Sequence, residues 1–225
     1  MTMMDELFNE MEARLTKLGM STMGDNKVDK GKVENIEKKY VISLPELYKH
    51  FLLSYEEVEF EQEIQFKTIE NTPWSHGDGF ESLASFFVTS DGTNKLEKKI
   101  EQYYERIPTS IFPIADDSAG NLICIGVKDD EYRGRIYFWD HENELVAKVM
   151  LDEDLKDVSS IDNYWDNVYL IAESFIDFIR SLEMKNDSIV EDINSKIIGI
   201  NMSSNFMEKM RLAREKLEAK EKRKK

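Results

Sequence analysis

The residues that could act as nucleophiles or metal ligands are sparse in this chain of 225 residues. There is one cysteine, Cys124, and there are three histidines, His50, His76 and His141. No two histidines have the close spacing of a helical or hairpin metal site, so the pattern does not favour metal-based chemistry. Cys124 lies inside the apolar run 122–127, which favours a buried thiol over a nucleophile.

Two short patterns superficially resemble catalytic motifs. Asp140, His141 and Glu142 could form an acid–base cluster, but Asp at the end of a strand more often satisfies local backbone donors. The glycines that flank Asp78 lack the strand, the helix and the lysine of a phosphate-binding loop. The sequence therefore favours a protein that is not an enzyme and needs no cofactor.

The charge of the chain favours a basic partner. The formal net charge is −15, and residues 188–225 contain ten Lys/Arg against six Asp/Glu, so the remaining residues carry −19. A body this acidic repels nucleic-acid phosphate and attracts basic proteins. Taken by itself, however, the charge is explained most simply by solubility.

A β-meander is the element that must position these groups. Three short apolar runs, separated by polar turns that each contain a glycine, have the length of single strands and predict antiparallel neighbours. The runs are residues 111–115, 122–127 and 136–139. Pro113 lacks the N–H of a ladder bond, which predicts an edge strand or the beginning of a strand. Asp116 and Asp117 fall in the first turn, where they could serve the turn's own hydrogen bonds or contact a partner.

The other elements are predicted from apolar periodicity. Apolar residues at three- and four-residue steps predict helices over residues 1–18, 29–40, 44–52, 94–104, 162–183 and 206–217. Residues 58–69 alternate like strands at a sheet edge, and the apolar runs 86–88 and 145–151 predict two more strands. Ser43 is expected to cap the third helix, and Gly, Pro and Asp in residues 71–81 predict a loop.

These elements predict an α+β fold. Its mostly antiparallel sheet is built on the meander, with residues 58–69 and 86–88 added and the helices packed chiefly on one face. The predicted domains are an N-terminal helical extension (1–28), an α+β domain (29–187) and a basic C-terminal helical tail (188–225). Neither a secretory signal nor an apolar run of membrane-spanning length is apparent, so a cytoplasmic protein is expected.

Five motifs follow one another along the predicted domain. They are VENIEKKY at 33–40, ISLPELYKHFL at 42–52, FPIADD at 112–117, IYFWDH at 136–141, and AESF at 172–175 with Phe178. Together they resemble the SUKH superfamily, which joins bacterial toxin-immunity proteins to fungal cell-wall regulators of the Smi/Knr type. The resemblance covers about residues 33–183 and implies the same α+β fold.

The resemblance also implies a function. The chain is expected to be an immunity protein (antitoxin) that neutralises a cognate toxin by stoichiometric occlusion, and its acidic body would suit the basic surface of a nuclease toxin. The residues expected to contact the toxin are Glu56, Glu57, Glu59, Trp74, Asp78, Asp116 and Asp117. The alternative is a regulatory or scaffolding protein of the Smi/Knr type, with a dimer formed through the terminal helices. Neither function requires a membrane or direct contact with nucleic acid.

Overall fold

A computed structural model describes residues 2–21, 30–75, 79–90, 95–128, 131–149 and 160–185. In these residues the helices are α1 (Met3–Lys17), α2 (Lys30–Tyr40), α3 (Glu46–Ser54), α4 (Leu96–Tyr103), α5 (Leu145–Val149) and α6 (Phe175–Ser181). The strands are β1 (Met20–Ser21), β2 (Glu59–Phe60), β3 (Ile64–Lys67), β4 (Phe80–Leu83), β5 (Ser85–Phe86), β6 (Ile111–Asp116), β7 (Leu122–Gly126), β8 (Ile136–Trp139), β9 (Val168–Ala172) and β10 (Leu182–Met184). The paired strands among them run antiparallel, which confirms the predicted α+β class.

The predicted meander is confirmed as the centre of the fold. β6, β7 and β8 are the middle strands of a five-stranded sheet with the order β5-β6-β7-β8-β9. Every residue of β7 and β8 is buried, so both faces of the sheet are covered, as continuous apolar runs indicate. Phe51 of α3 packs on Phe86 of β5, and Tyr103 of α4 packs edge-on against Trp139 of β8.

The location of Pro113 differs from the prediction. β6 has β5 on one side and β7 on the other, so it is not an edge strand. However, β5 pairs only with Ala115 and Asp116, and the register between β6 and β7 shifts between Pro113 and Ala115. Pro113 therefore lies beyond the end of β5 and at an irregularity of the ladder, where a missing N–H is tolerated.

Residues 58–69 do not join the meander sheet, contrary to the prediction. β2 pairs with β1 in a two-stranded sheet, while β3 is the central strand of a second sheet with the order β10-β3-β4. The predicted sheet-edge position is therefore wrong for β3, because periodicity cannot show that a distant segment such as β10 supplies a partner. The alternation itself is confirmed by the burial of Ile64 and Phe66. The loop predicted for residues 71–81 is too long, because β4 already begins at Phe80.

The single helix predicted over residues 162–183 is wrong. The segment contains a 3₁₀ turn (Ile161–Asn163), β9, α6 and β10. β9 pairs with β8 and has no exposed residue, whereas a helix with one apolar stripe exposes its other side. Ser174 begins α6 by accepting a hydrogen bond from the N–H of Asp177 (3.2 Å).

Two shorter predictions are also wrong. Residues 145–149 form the helix α5 instead of a strand. The prediction failed because a short apolar run fits a strand and a helix equally well. Just before α5, the Arg106 guanidinium forms an ion pair with Glu144 (2.9 Å). Pro45 rather than Ser43 precedes α3, and the Ser43 hydroxyl accepts a hydrogen bond from Arg133 (3.1 Å). The predicted helix at 206–217 and the tail 188–225 lie outside the described residues.

α1 packs into the same core as the rest of the described chain. Met11 and Leu15 are fully buried, which confirms the predicted apolar stripe. Across the contact with α6, the Arg180 guanidinium donates to the Glu10 carboxylate (2.6 Å), and Arg14 donates to the carbonyl of Leu182 (2.5 Å). The division of the chain at residue 28 stays a prediction.

Candidate functional site

The segment after α3 presents a row of carboxylates. Glu57, Glu59 and Glu61 are exposed, while Val58 between them is buried and Phe60 is half-buried. The alternation up to Phe60 follows from the extended backbone that enters β2, which turns successive side chains to opposite sides, and Glu61 follows at a bend. We call the three exposed carboxylates Glu57, Glu59 and Glu61 the acidic edge.

The acidic edge carries uncompensated charge. Among the described residues, none of its three carboxylates forms an ion pair. The neighbouring Glu63 differs, because the Lys185 ammonium hydrogen-bonds to it (2.7 Å) and lowers its pKa. Glu56 is half-buried, and its main-chain carbonyl accepts a hydrogen bond from the Ser90 hydroxyl. Glu57 and Glu59, two of the residues predicted from the sequence, are therefore available to a partner.

Asp117 is committed to the turn that joins β6 to β7. Its side chain is 6% exposed, and one carboxylate oxygen accepts hydrogen bonds from the N–H groups of Ala119 (2.9 Å) and Asn121 (2.7 Å). The other oxygen accepts from the Asn121 side-chain amide (2.7 Å). The turn's own hydrogen bonds, one of the two interpretations left open by the sequence, therefore account for this residue.

Asp116 is also compensated locally. Its carboxylate accepts a hydrogen bond from the Ser85 hydroxyl (2.7 Å) and lies 3.4 Å from the Lys99 ammonium. A groove of about 630 Å³ lies between this turn and the acidic edge, and Glu61, Phe60 and Ser118 are among its lining residues. The groove therefore places Glu61 of the acidic edge near Ser118 of the turn, but none of the carboxylates predicted from the sequence is among its lining residues.

Trp74 lies at a different corner, beside the end of β8. Its ring stacks on the imidazole of His141 at 5.9 Å between centroids. The Nδ1 of His141 lies 2.8 Å from the side-chain oxygen of Asn121, which is an acceptor, so Nδ1 donates in this contact. Among the described residues, no hydroxyl or thiol donates to the Nε2 of His141. Trp74 is half-buried here, and Asp78 lies outside the described residues.

The residues around His141 form a structural network. Asp140 is fully buried and accepts a hydrogen bond from the N–H of Glu142 (3.0 Å), which confirms the capping interpretation of residues 140–142. Cys124 is buried, as predicted, and burial raises the pKa of its thiol. Where the structure describes the chain, no three His, Cys, Asp or Glu residues are grouped to hold a metal ion.

An apolar groove was missed in the sequence. It lies between the ends of α2 and α4, where Val41 and Tyr104 are 90% and 63% exposed. The only signal in the sequence is that α2 ends in Tyr40-Val41-Ile42, without a glycine at the point where a helix commonly stops. Within the described residues, no helix is both long enough and apolar enough to cross a membrane.

Comparison with known proteins gives two matches. Residues 27–181 match the model of the SMI1 / KNR4 family (SUKH-1). The chain is also 32% identical over 162 residues to the SPbeta prophage-derived protein YokK of Bacillus subtilis (strain 168), an alignment that covers 67% of this chain and 72% of the relative. The family match excludes all of α1 and begins just before α2.

Proposed function

The chain belongs to the SMI1 / KNR4 family (SUKH-1), and from that premise we propose that it is an immunity protein (antitoxin) that binds a cognate toxin and blocks it by occlusion. The family is known for immunity proteins in toxin systems and is generally of a non-enzymatic, immunity or regulatory type. The proposed partner is a protein toxin with a basic surface, and a nuclease is the class that such a surface suits best.

The observation that carries this proposal is the acidic edge. Three carboxylates close together in the chain project to solvent and form no ion pair among the described residues. Unpaired charge of this kind is complementary to a row of Lys or Arg side chains. In a nuclease, the same Lys and Arg residues would contact phosphate, so covering them would exclude the nucleic-acid substrate.

The turn between β6 and β7 that carries Asp116 and Asp117, which we call the acidic turn, supports this proposal less strongly. Asp116 has the Lys99 ammonium nearby, and both carboxylate oxygens of Asp117 accept hydrogen bonds inside the turn. Each carboxylate would have to give up its existing contacts before it could bind a partner, which costs more than recruiting Glu57, Glu59 or Glu61. We therefore centre the proposed contact on the acidic edge, and Trp74 stays a predicted contact.

Co-expression with the toxins encoded beside its gene tests the proposal. We expect one such toxin to form a complex that protects the cell. The variant E57Q/E59Q/E61Q should bind more weakly at low salt, by roughly tenfold, because it loses three attractive charges. The variant E6Q/E142Q/D166N is the matched control, since it neutralises three exposed carboxylates elsewhere.

Two results would contradict the proposal. If none of the neighbouring toxins binds, the immunity function is wrong and the scaffolding alternative is favoured. If the control variant loses as much affinity as the acidic-edge variant, only the total charge matters and the acidic edge is not the contact.

A further inference from the structure

Besides the acidic edge, a second candidate contact surface is the apolar groove between the ends of α2 and α4. It holds about 210 Å³ and is closed at its base by Ile111, Phe112 and Pro113 of β6, beyond the end of β5. Tyr40 at the end of α2 packs edge-on against Phe112, with 5.4 Å between ring centroids. The groove is therefore formed by packed elements of the core, and its mouth is bordered by the exposed Val41 and Tyr104.

The backbone at the mouth of the groove is strained. Val41 has φ of +55° and Glu105 has φ of +62°, which are left-handed values that L-residues seldom adopt. The N–H of Ile42 donates to the carbonyl of Glu37 (3.0 Å), so α2 ends in a motif whose Val41 position is usually glycine. A β-branched residue in this conformation is a genuine outlier.

The stability of the fold does not explain why residue 41 is a valine. Glycine would relieve the backbone at position 41, and the valine side chain gains almost no burial because it is 90% exposed. A strained residue that projects an apolar side chain into solvent is typical of a contact surface. A second left-handed residue borders the same groove, since Glu105 also lines it and follows the exposed Tyr104.

The charges around the groove indicate what it binds. Glu97 and Glu101 lie one helical turn apart on α4 and pair with the Lys39 ammonium at 3.6 and 2.7 Å, and Glu97 also lies 3.9 Å from the Lys95 ammonium, so two carboxylates face two ammonium groups. Glu105 is exposed and forms no ion pair among the described residues, so this side of the groove has a surplus of negative charge. At the other end, Lys128 donates to the Thr109 hydroxyl. Burial raises the pKa of the nearby Asp162, but the hydrogen bonds from Thr109, with a smaller contribution from the Lys128 charge, lower it overall.

We infer that the groove anchors one bulky apolar side chain of the toxin, flanked in the toxin by Lys or Arg residues that face Glu101 and Glu105. This inference rests on the proposed function and adds to it the surface that holds the partner. The groove exists before binding, because the Lys39 contacts join α2 to α4. A preformed pocket costs less ordering on association, which is the condition under which a single buried anchor dominates binding.

The experiment compares Val41→Gly and Tyr104→Ala with Ile69→Ala, a control that truncates another exposed apolar residue. Each purified protein is titrated with a catalytically inactivated form of the toxin domain encoded beside its gene, and each is unfolded in urea. We expect both groove variants to bind at least about tenfold more weakly, since they remove the anchor's contacts. We expect Val41→Gly to unfold at the same or a higher urea concentration, and Ile69→Ala to bind like the parent.

Three outcomes would overturn the inference. If E57Q/E59Q/E61Q weakens binding while both groove variants bind like the parent, the anchor is elsewhere and the proposed function stands. If the unmodified protein binds no neighbouring toxin, the proposed function fails and this inference fails with it. If light scattering shows a dimer that Tyr104→Ala dissociates, the groove holds a second copy of this chain instead of a toxin.

Discussion

The acidic edge and the apolar groove differ in how their side chains are held. Glu57, Glu59 and Glu61 project from a short, extended segment and make no ion pairs within the described residues. The groove is formed by the core strand β6 and by two helices that Lys39 joins. Charge acts over about 10 Å at moderate salt, whereas apolar contacts act only at van der Waals distance.

From this difference we infer that the two surfaces would act at different steps of the proposed binding. Exposed charges mainly change the rate at which partners meet, because their attraction extends through water and is screened by salt. A desolvated anchor in a preformed pocket mainly changes how slowly the complex dissociates. We therefore expect the acidic edge to govern association and the groove to govern dissociation.

The largest expected effect is on the dissociation rate. Tyr104→Ala should accelerate dissociation of the toxin complex by roughly 30-fold, which corresponds to about 2 kcal/mol for a central aromatic contact. The association rate should change by less than about threefold, since the substitution leaves the charge unchanged. Surface plasmon resonance measures both rates, and a loss confined to association would reverse the assignment of the groove.

The acidic turn should behave like neither surface. Asp117→Ala removes the acceptor of three hydrogen bonds inside the β6–β7 turn and should lower the free energy of unfolding by about 2 kcal/mol. Glu59→Gln at the acidic edge should change it by less than about 0.5 kcal/mol. Urea denaturation compares the two variants. Equal stabilities would show that Asp117 is not structural and would restore it as a partner contact.

The salt dependence of the association rate should also distinguish the two surfaces, with a smaller effect than the change in dissociation rate. The association rate of the parent should fall by roughly tenfold as salt is raised from low to high concentration, because screening removes the attraction. In E57Q/E59Q/E61Q this dependence should flatten, whereas Tyr104→Ala should retain it. Stopped-flow mixing with the toxin domain measures the slopes. Parallel slopes in the parent and the triple variant would exclude steering by the acidic edge.

The smallest expected effect is on the free energy of unfolding, which glycine substitutions at two positions should change in opposite directions. Glu105→Gly relieves a left-handed backbone at the groove and should raise the free energy of unfolding by about 1 kcal/mol. Glu59→Gly makes the same change inside β2 and should lower it by about 0.5–1 kcal/mol, because glycine weakens a strand. Paired urea titrations test this, and a loss of stability in Glu105→Gly would remove the evidence for strain at the groove.

The meander could be predicted because its three apolar runs are short, separated by glycine-containing turns and buried on both faces. The segment 162–183 could not, because its apolar spacing fits a helical stripe equally well until β8 is known to supply a partner for β9. Local patterns therefore identify elements that pair with their neighbours in sequence. They fail where a distant segment completes the pairing, as β10 does for β3.

The candidate surfaces also divide into features that a local sequence pattern indicates and features that depend on the folded chain. Glu57 and Glu59 could be predicted, since alternation with Val58 and Phe60 indicates which side chains face solvent. The burial of Asp117 could not be predicted, because it depends on the hydrogen bonds that Asn121 makes inside the folded turn. The groove at Val41 could not be predicted either, because a positive φ at a valine is a property of the folded backbone.

The most direct test of the central claim, stoichiometric occlusion, is a titration of the active toxin with this protein. Residual toxin activity is measured as the ratio of the two proteins is raised at concentrations well above the dissociation constant. Occlusion predicts a linear loss of activity that reaches zero at a ratio of one to one. Complete loss at a small fraction of that ratio would show that the protein inactivates toxin by turnover, and no loss at any ratio would show that it is not an immunity protein for that toxin.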